Sequence, residues 1–266
     1  MARTSARRRA FPLPCRSLRV MSMVVVATLG TTFLTGAEGA AASTATPSQV
    51  LAAAGAAAKG QRSFHYVATD RQSGQSVTIA GDVSKTEGTQ KIVADIGGQT
   101  GHVTVILVGG SAYFRGDAAG LHGFMQLSAP LASGYANQWI SVTMGEPGYA
   151  EIAAGLTTAS ALSQVEIAKP ITLRGQTKKM GQQVLIVGGT ESGMPNGSAK
   201  RVTIPVRLYV NASGPPLPVL FSATWVVGHS SQVQTVSFSH WREPVHVTVP
   251  ASPVPVGSLG GSPVEA

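Results

Sequence analysis

Six histidines are the residues of this 266-residue chain best suited to moving protons or ligating a metal. They stand at positions 65, 102, 122, 229, 240 and 246. A Ser–His–Asp arrangement needs a base held between a nucleophile and an orienting carboxylate. The four aspartates, Asp70, Asp82, Asp95 and Asp117, fall mostly beside turn-forming residues and give no local framework for one. HExxH, GxSxG, GxxxxGK[ST] and GxGxxG are all absent. A zincin helix, a nucleophile elbow and a phosphate-binding loop therefore have no sequence support. Glycoside hydrolysis uses two carboxylates in a cleft, and 12 Asp+Glu with three Trp make a thin supply of carboxylates and flanking aromatics. No enzymatic activity, cofactor or metal is expected.

The densest run of such residues is "VSFSHWREPVHVTVPA", Val236 to Ala251. Strand alternation puts Thr235, Ser237 and Ser239 on one face and Val236, Phe238 and His240 on the other. Pro244 has no N–H for a ladder and breaks the strand. "VHVTVP" then predicts a resumed strand with Val245, Val247 and Val249 inward. Trp241 is expected to cap the core, with Arg242 and Glu243 solvated at the bend. This is the ending of a sheet rather than a catalytic cluster. Trp139, Tyr113 and Phe114 are likewise expected as core aromatics.

The N-terminus has the form of an export signal. Arg3, Arg7, Arg8, Arg9, Arg16 and Arg19 precede an apolar run from Val20 to Leu34, and small residues follow. That run is shorter than the ~20 residues that span a bilayer. Cleavage after Ala42 is expected, with retention of the segment as a membrane anchor the alternative, and either way an exported protein of the cell envelope or exterior. Residues 1–42 hold six of the 20 Lys+Arg and one of the 12 Asp+Glu, which leaves 14 and 11, a net charge of +3. The overall pI near 10.0 thus belongs mostly to the signal, and nucleic acid is not an expected partner. Cys15 is the only cysteine. It precedes the apolar run, so no disulfide and no acylated cysteine are expected.

Beyond the signal, residues 43–62 are expected to be a linker and a helix, 63–252 one domain, and 253–266 a disordered tail. Short alternating segments with Gly- and Asp-rich turns every 8–12 residues run from Ser63 to Gly116, the pattern of an antiparallel meander. Helical spacing appears in four weak segments: from Asp117, from Ser128, over Glu146–Leu156 and over Thr157–Ile167. Strands return from Ile171 to the end. Eight to ten strands with helices inserted in the middle predict an α+β fold, a strongly curved antiparallel sheet with short helices on one side. Several strands are apolar at both parities. A sheet with one wet face would alternate more cleanly, so both faces are partly covered or one lines an apolar cavity.

Four segments occur in order: "SAYFRGD", "NQWISV", "LYVNASGPPLPVLFSATW" and "VSFSHWREPVHVTVPA". Together they resemble the actinobacterial cell-envelope lipoproteins of the LppX/LprG lipid-carrier type, over Phe64 to Ala251. The chain departs from that family in having no acylated cysteine after its signal. The resemblance implies a half-barrel sheet with helices across its concave face, around an apolar cavity that holds acyl chains. It implies binding or transfer of a lipid or lipoglycan, and contact with a membrane surface is compatible with that role. Parity and helix faces nominate the cavity wall: Ile79, Val105, Leu107, Leu156, Leu162, Val206, Phe221 and Trp225. A monomer is expected. The competing expectation is an envelope interaction or scaffold protein of the same fold without lipid cargo.

Overall fold

The computed structural model describes residues 45–72, 74–163, 165, 167–193, 202–227 and 230–259. The expected signal and its cleavage point, His229, and the last seven residues lie outside them. Helix α1 (Pro47–Lys59) opens on a capping box. The Gln49 N–H donates to the Thr46 hydroxyl, and the Thr46 N–H donates to Gln49 Oε1 at 2.8 Å. These bonds satisfy end groups that have no partner within the helix. Val50, Ala54 and Ala58, spaced by four, form its buried face.

Five strands follow in a meander: β1 (Ser63–Gln72), β2 (Gln75–Ser84), β3 (Gly88–Ile96), β4 (Gln99–Val108) and β5 (Ser111–Gly116). Two short helices, α2 (Ala118–Gly123) and α3 (Ala129–Gly134), lead to β6 (Ile140–Thr143). Helices α4 (Tyr149–Ile152) and α5 (Thr158–Leu162) then carry the chain to β7 (Ala168–Lys179), β8 (Gln182–Gly193), β9 (Val202–Asn211), β10 (Pro218–Val227) and β11 (Ser230–Ser239). A two-residue strand, β12 (Val254–Pro255), and a 3₁₀ turn come last. All form one sheet in the order β12-β6-β5-β4-β3-β2-β1-β11-β10-β9-β8-β7. Every pairing is antiparallel except β12 with β6. The sheet is curved and open, with β7 at one end and β12 at the other.

Register fixes what the helix-bearing face presents. One row crosses eight strands as Val103–Ile92–Ile79–Ala68–Val236–Phe221–Leu208–Val187. The helices press on this face at two places. Val50 and Ala54 of α1 and Ala161 of α5 join Phe64, Val206, Phe221 and Phe238 in one cluster. Leu121 of α2, Ala132 of α3 and Ile152 of α4 join Val103, Val105, Phe114 and Ile140 in another. The second contact is very close. A Cβ on Gly101 would meet Gly120 N at 2.4 Å, and one on Gly120 would meet His102 O at 2.5 Å. Only paired glycines allow α2 that near β4.

The apolar residues of opposite parity in β8–β10 have their own explanation. Val184, Tyr209 and Val219, with Ile186 and Leu220, form a small separate cluster on the other face. The end strand β7 is exposed nearly throughout. Its free edge carries Lys169, Arg174, Lys178 and Lys179, and its turn displays Met180, 57% exposed.

Five expectations change. The helices expected over 146–156 and 157–167 shrink to α4 and α5. Their few apolar residues dock them on the sheet but do not extend them. "NQWISV" contributes a strand, β6. His240 does not share the inward face of Val236 and Phe238. At φ 50 it leaves the alternation, and its ring lies 5.6 Å from that of His65. "VHVTVP" forms no strand, and Val249 is 53% exposed. The tail is ordered to Leu259, not disordered from 253, because β12 pairs with β6 and Val256 and Leu259 pack on the second cluster.

Candidate functional site

The described histidines sit in local contacts, not in a shared centre. His65 Nδ1 pairs with Asp82 Oδ1 at 2.7 Å, and His102 Nδ1 with Asp117 Oδ2 at 2.8 Å. His122 Nδ1 faces the Leu127 carbonyl at 2.8 Å. His240 lies 3.9 Å from Glu243, and His246 is exposed. Among the described residues no group of three or more His, Cys, Asp and Glu could hold a metal ion. Asp117 is a helix cap: it accepts from the Gly120 N–H at 2.6 Å and from the His102 N–H at 3.1 Å. Burial opposes its ionisation, but these bonds and the His102 ring hold its pKa below the ordinary aspartate value.

Trp241 closes one end of the concave face. Its ring centroid lies 4.9 Å from that of Phe64 and 6.0 Å from that of Phe238. Arg242 and Glu243 are exposed at the bend, as expected. Arg242 Nε also donates to Gln61 Oε1 at 2.8 Å. The segment that follows β11 is thus a core cap tied to the start of β1.

The eight nominated wall residues fall into two groups. Val206 and Phe221 belong to the first cluster, and half-buried Leu162 and Trp225 pack against it. Val105, Leu107 and Leu156 belong to the second. Ile79 is half-buried and packs against both. Between the groups stands a polar pillar. The Tyr66 hydroxyl donates to the Gly155 carbonyl at 3.0 Å and accepts from Gln90 Nε2, which also donates to the Ala154 carbonyl at 3.1 Å. This set pins the α4–α5 connection to the middle of the sheet. Burial drives the Tyr66 pKa far above the ordinary tyrosine value, against the pull of the Gln90 bond.

Beside the pillar the face is less covered. Ala68, Val77 and Ile79 are half-buried, whereas the ends of the same rows are closed. A second row interrupts the apolar surface: Val77–Asp70–Gln234–Ala223. Burial raises the Asp70 carboxyl above its ordinary pKa, partly offset by Gln232. Gln232 is 5% exposed, and its amide nitrogen donates to both Asp70 oxygens at 2.9 Å. Its Oε1 and the indole nitrogen of Trp225 are buried without a hydrogen-bond partner. Each such group costs about 1–3 kcal/mol. None of Tyr66, Gln90, Asp70 and Gln232 was nominated from sequence. The available signal was their parity: polar side chains at inward positions of otherwise apolar strands.

A separate open cleft of about 520 Å³ lies beside α2 and α3, lined by Gln99, Thr100, Ala118, Ala119, His122, Ala129, Ala132 and Ser133. It contains none of the nominated residues. Among the described residues no helix is long and apolar enough to cross a membrane.

No family model and no curated protein matches the chain. Among solved structures the chain is similar to LprF from Mycobacterium bovis, at 16% identity and a TM-score of 0.52, over 77% of this chain and 96% of that one. Lipoprotein LppX from Mycobacterium tuberculosis matches at 16% identity and a TM-score of 0.45, over 75% and 96%. An uncharacterized conserved protein from Thermus thermophilus matches at 7% and 0.40, over 79% and 97%. At these identities the likeness is one of fold, and the LprF superposition carries it. The curved antiparallel sheet expected from the sequence is the architecture the two chains share.

Proposed function

We propose that the chain is an exported lipid carrier that holds acyl chains against the concave face of its sheet. The supporting observation is the row that crosses eight strands without a polar residue while Ile79 and Ala68 at its centre stay half-exposed. An acyl chain laid there leaves water at roughly 0.8 kcal/mol per CH₂, with no catalytic group involved. The two clusters on either side of the Tyr66–Gln90 pillar would bound the chain's path. Val105, Leu107, Leu156, Val206 and Phe221 form its floor and ends, and Ile79, Leu162 and Trp225 meet it directly. The site takes lipid or the acyl part of a lipoglycan, and the carrier acts as a monomer at or outside the cell envelope.

Native mass spectrometry tests this on the chain exported from its host and purified without detergent. The expected result is a mass excess that vanishes on denaturation and releases acyl fragments. Ile79→Arg should lose that excess. Val93→Arg, on the opposite face and already 38% exposed, should keep it. A bare mass after incubation with host lipid extract would overturn the reading in favour of an envelope interaction protein of the same fold.

A further inference from the structure

We infer that Trp225 and Gln232 form a subsite for a hydroxyl group of the bound lipid, an inference that rests on the lipid-carrier reading. The two residues are directly opposed across β10 and β11. One offers a buried donor without a partner and the other a buried acceptor without a partner. The orientation of the Gln232 amide is fixed, because its nitrogen faces both oxygens of Asp70 at 2.9 Å. Turning the amide would set its oxygen against a carboxylate. β11 lies between β1 and β10, so the free Oε1, turned from Asp70 on β1, is on the side of Trp225 on β10.

Few groups satisfy both atoms at once. A hydroxyl does: its oxygen accepts from the indole N–H and its proton goes to the amide oxygen. An ether, ester or ketone oxygen accepts but has no proton to give, so Gln232 stays unsatisfied. Phosphate and carboxylate share that defect and also bring negative charge toward Asp70. A methylene satisfies neither atom. Discrimination by a site built for a hydroxyl is steep because the wrong ligand leaves buried polar groups unpaired. Asp70 acts here as a positioning residue that sets the amide.

The test is competition between two probes of nearly equal size, octadecan-1-ol and methyl octadecyl ether, for displacement of a fluorescent fatty acid. The intact protein should bind the alcohol about tenfold more tightly, as expected for one buried hydrogen bond. Trp225→Phe keeps the aromatic bulk but has no N–H. It should weaken both probes alike, because each accepts from the indole, whereas Gln232→Leu should cut the preference below about twofold. The Trp225 indole N–H resonance, identified by its loss in Trp225→Phe, should shift with either probe and not with nonadecane, which cannot accept a hydrogen bond. This readout needs no second folded variant. Equal affinity for both probes, or a preference that survives in Gln232→Leu, overturns the subsite while leaving the carrier reading intact. Failure of the fluorescent fatty acid and both probes to bind overturns both.

Discussion

Removing one oxygen atom from the pillar, by Tyr66→Phe, should cost about 2 kcal/mol of stability. The hydroxyl accepts from Gln90 and donates to the Gly155 carbonyl. Gln90 keeps its bond to the Ala154 carbonyl in the variant, so the new orphan is the Gly155 oxygen. A lost buried hydrogen bond is worth about 1 kcal/mol net, and an unsatisfied buried acceptor raises the cost to about 1–3 kcal/mol. At about 2–4 °C per kcal/mol for a domain of this size, the melting temperature should fall by about 4–8 °C. Titration supplies an independent check. Tyr66 in the folded chain has its pKa raised above the unfolded value of about 10. Its contribution is therefore complete below pH 10 and is lost as pH rises toward the folded pKa. The loss runs at about 1.4 kcal/mol per pH unit, because the unfolded chain ionises this tyrosine and the folded chain does not. Tyr66→Phe lacks that loss. Denaturant titrations at several pH values should show the two stability curves converging above pH 10 and meeting about 1.5 units higher. Equal stability at pH 7, or parallel alkaline limbs, would refute the pillar.

Gly120→Ala should destabilise by about 1–3 kcal/mol in thermal melts, since the added carbon meets the His102 carbonyl and pushes α2 off β4; Gly123→Ala, with open space around it, should be near neutral. Asp117→Ala removes the α2 cap and should cost about 1–2 kcal/mol. Because the Asp117 pKa is lowered, its contribution is present above the unfolded value and fades as pH falls through the folded one, so acid denaturation should narrow the gap to the parent. Asp70→Asn should stabilise slightly at pH 7, by under about 1 kcal/mol after solvent screening. The Asp70 pKa is raised, so the parent loses stability as pH rises through it, and the advantage of the variant should disappear below the unfolded value.

Alternation and turn chemistry made most strands legible. Segments such as "QSVTIAGDV" and "LPVLFSATWVV" became β2 and β10 with ends displaced by a residue or so. Parity also put Ile79, Val105 and Phe221 on the helix-bearing face. What stayed illegible depended on partners distant in sequence. "VHVTVP" alternates as well as β2 does, but alternation shows only that a segment can pair. β11 already lies between β1 and β10, with no free edge beside it. The Val254–Pro255 strand shows the reverse case, two residues without a strand pattern ordered by the edge of β6. His240 went wrong because a residue at positive φ ends the period that parity relies on. The nominated wall was split because a strand pattern gives the face and not the layer. Only cross-strand register reveals that Tyr66 and Gln90 stand between Leu156 and Phe221.

The open end of the sheet bears on how copies of this chain meet in solution. β7 runs for twelve residues at the end of the sheet with no strand on its outer side, the geometry that templates strand addition. Its four cations set like charge against like charge when two such edges approach. That repulsion reaches about 10 Å at 0.1 M salt and about 3 Å at 1 M. Light scattering should therefore detect single particles in dilute buffer and growing association in concentrated salt. The ionic strength of its surroundings would then act as the guard on a border that the fold leaves unfinished.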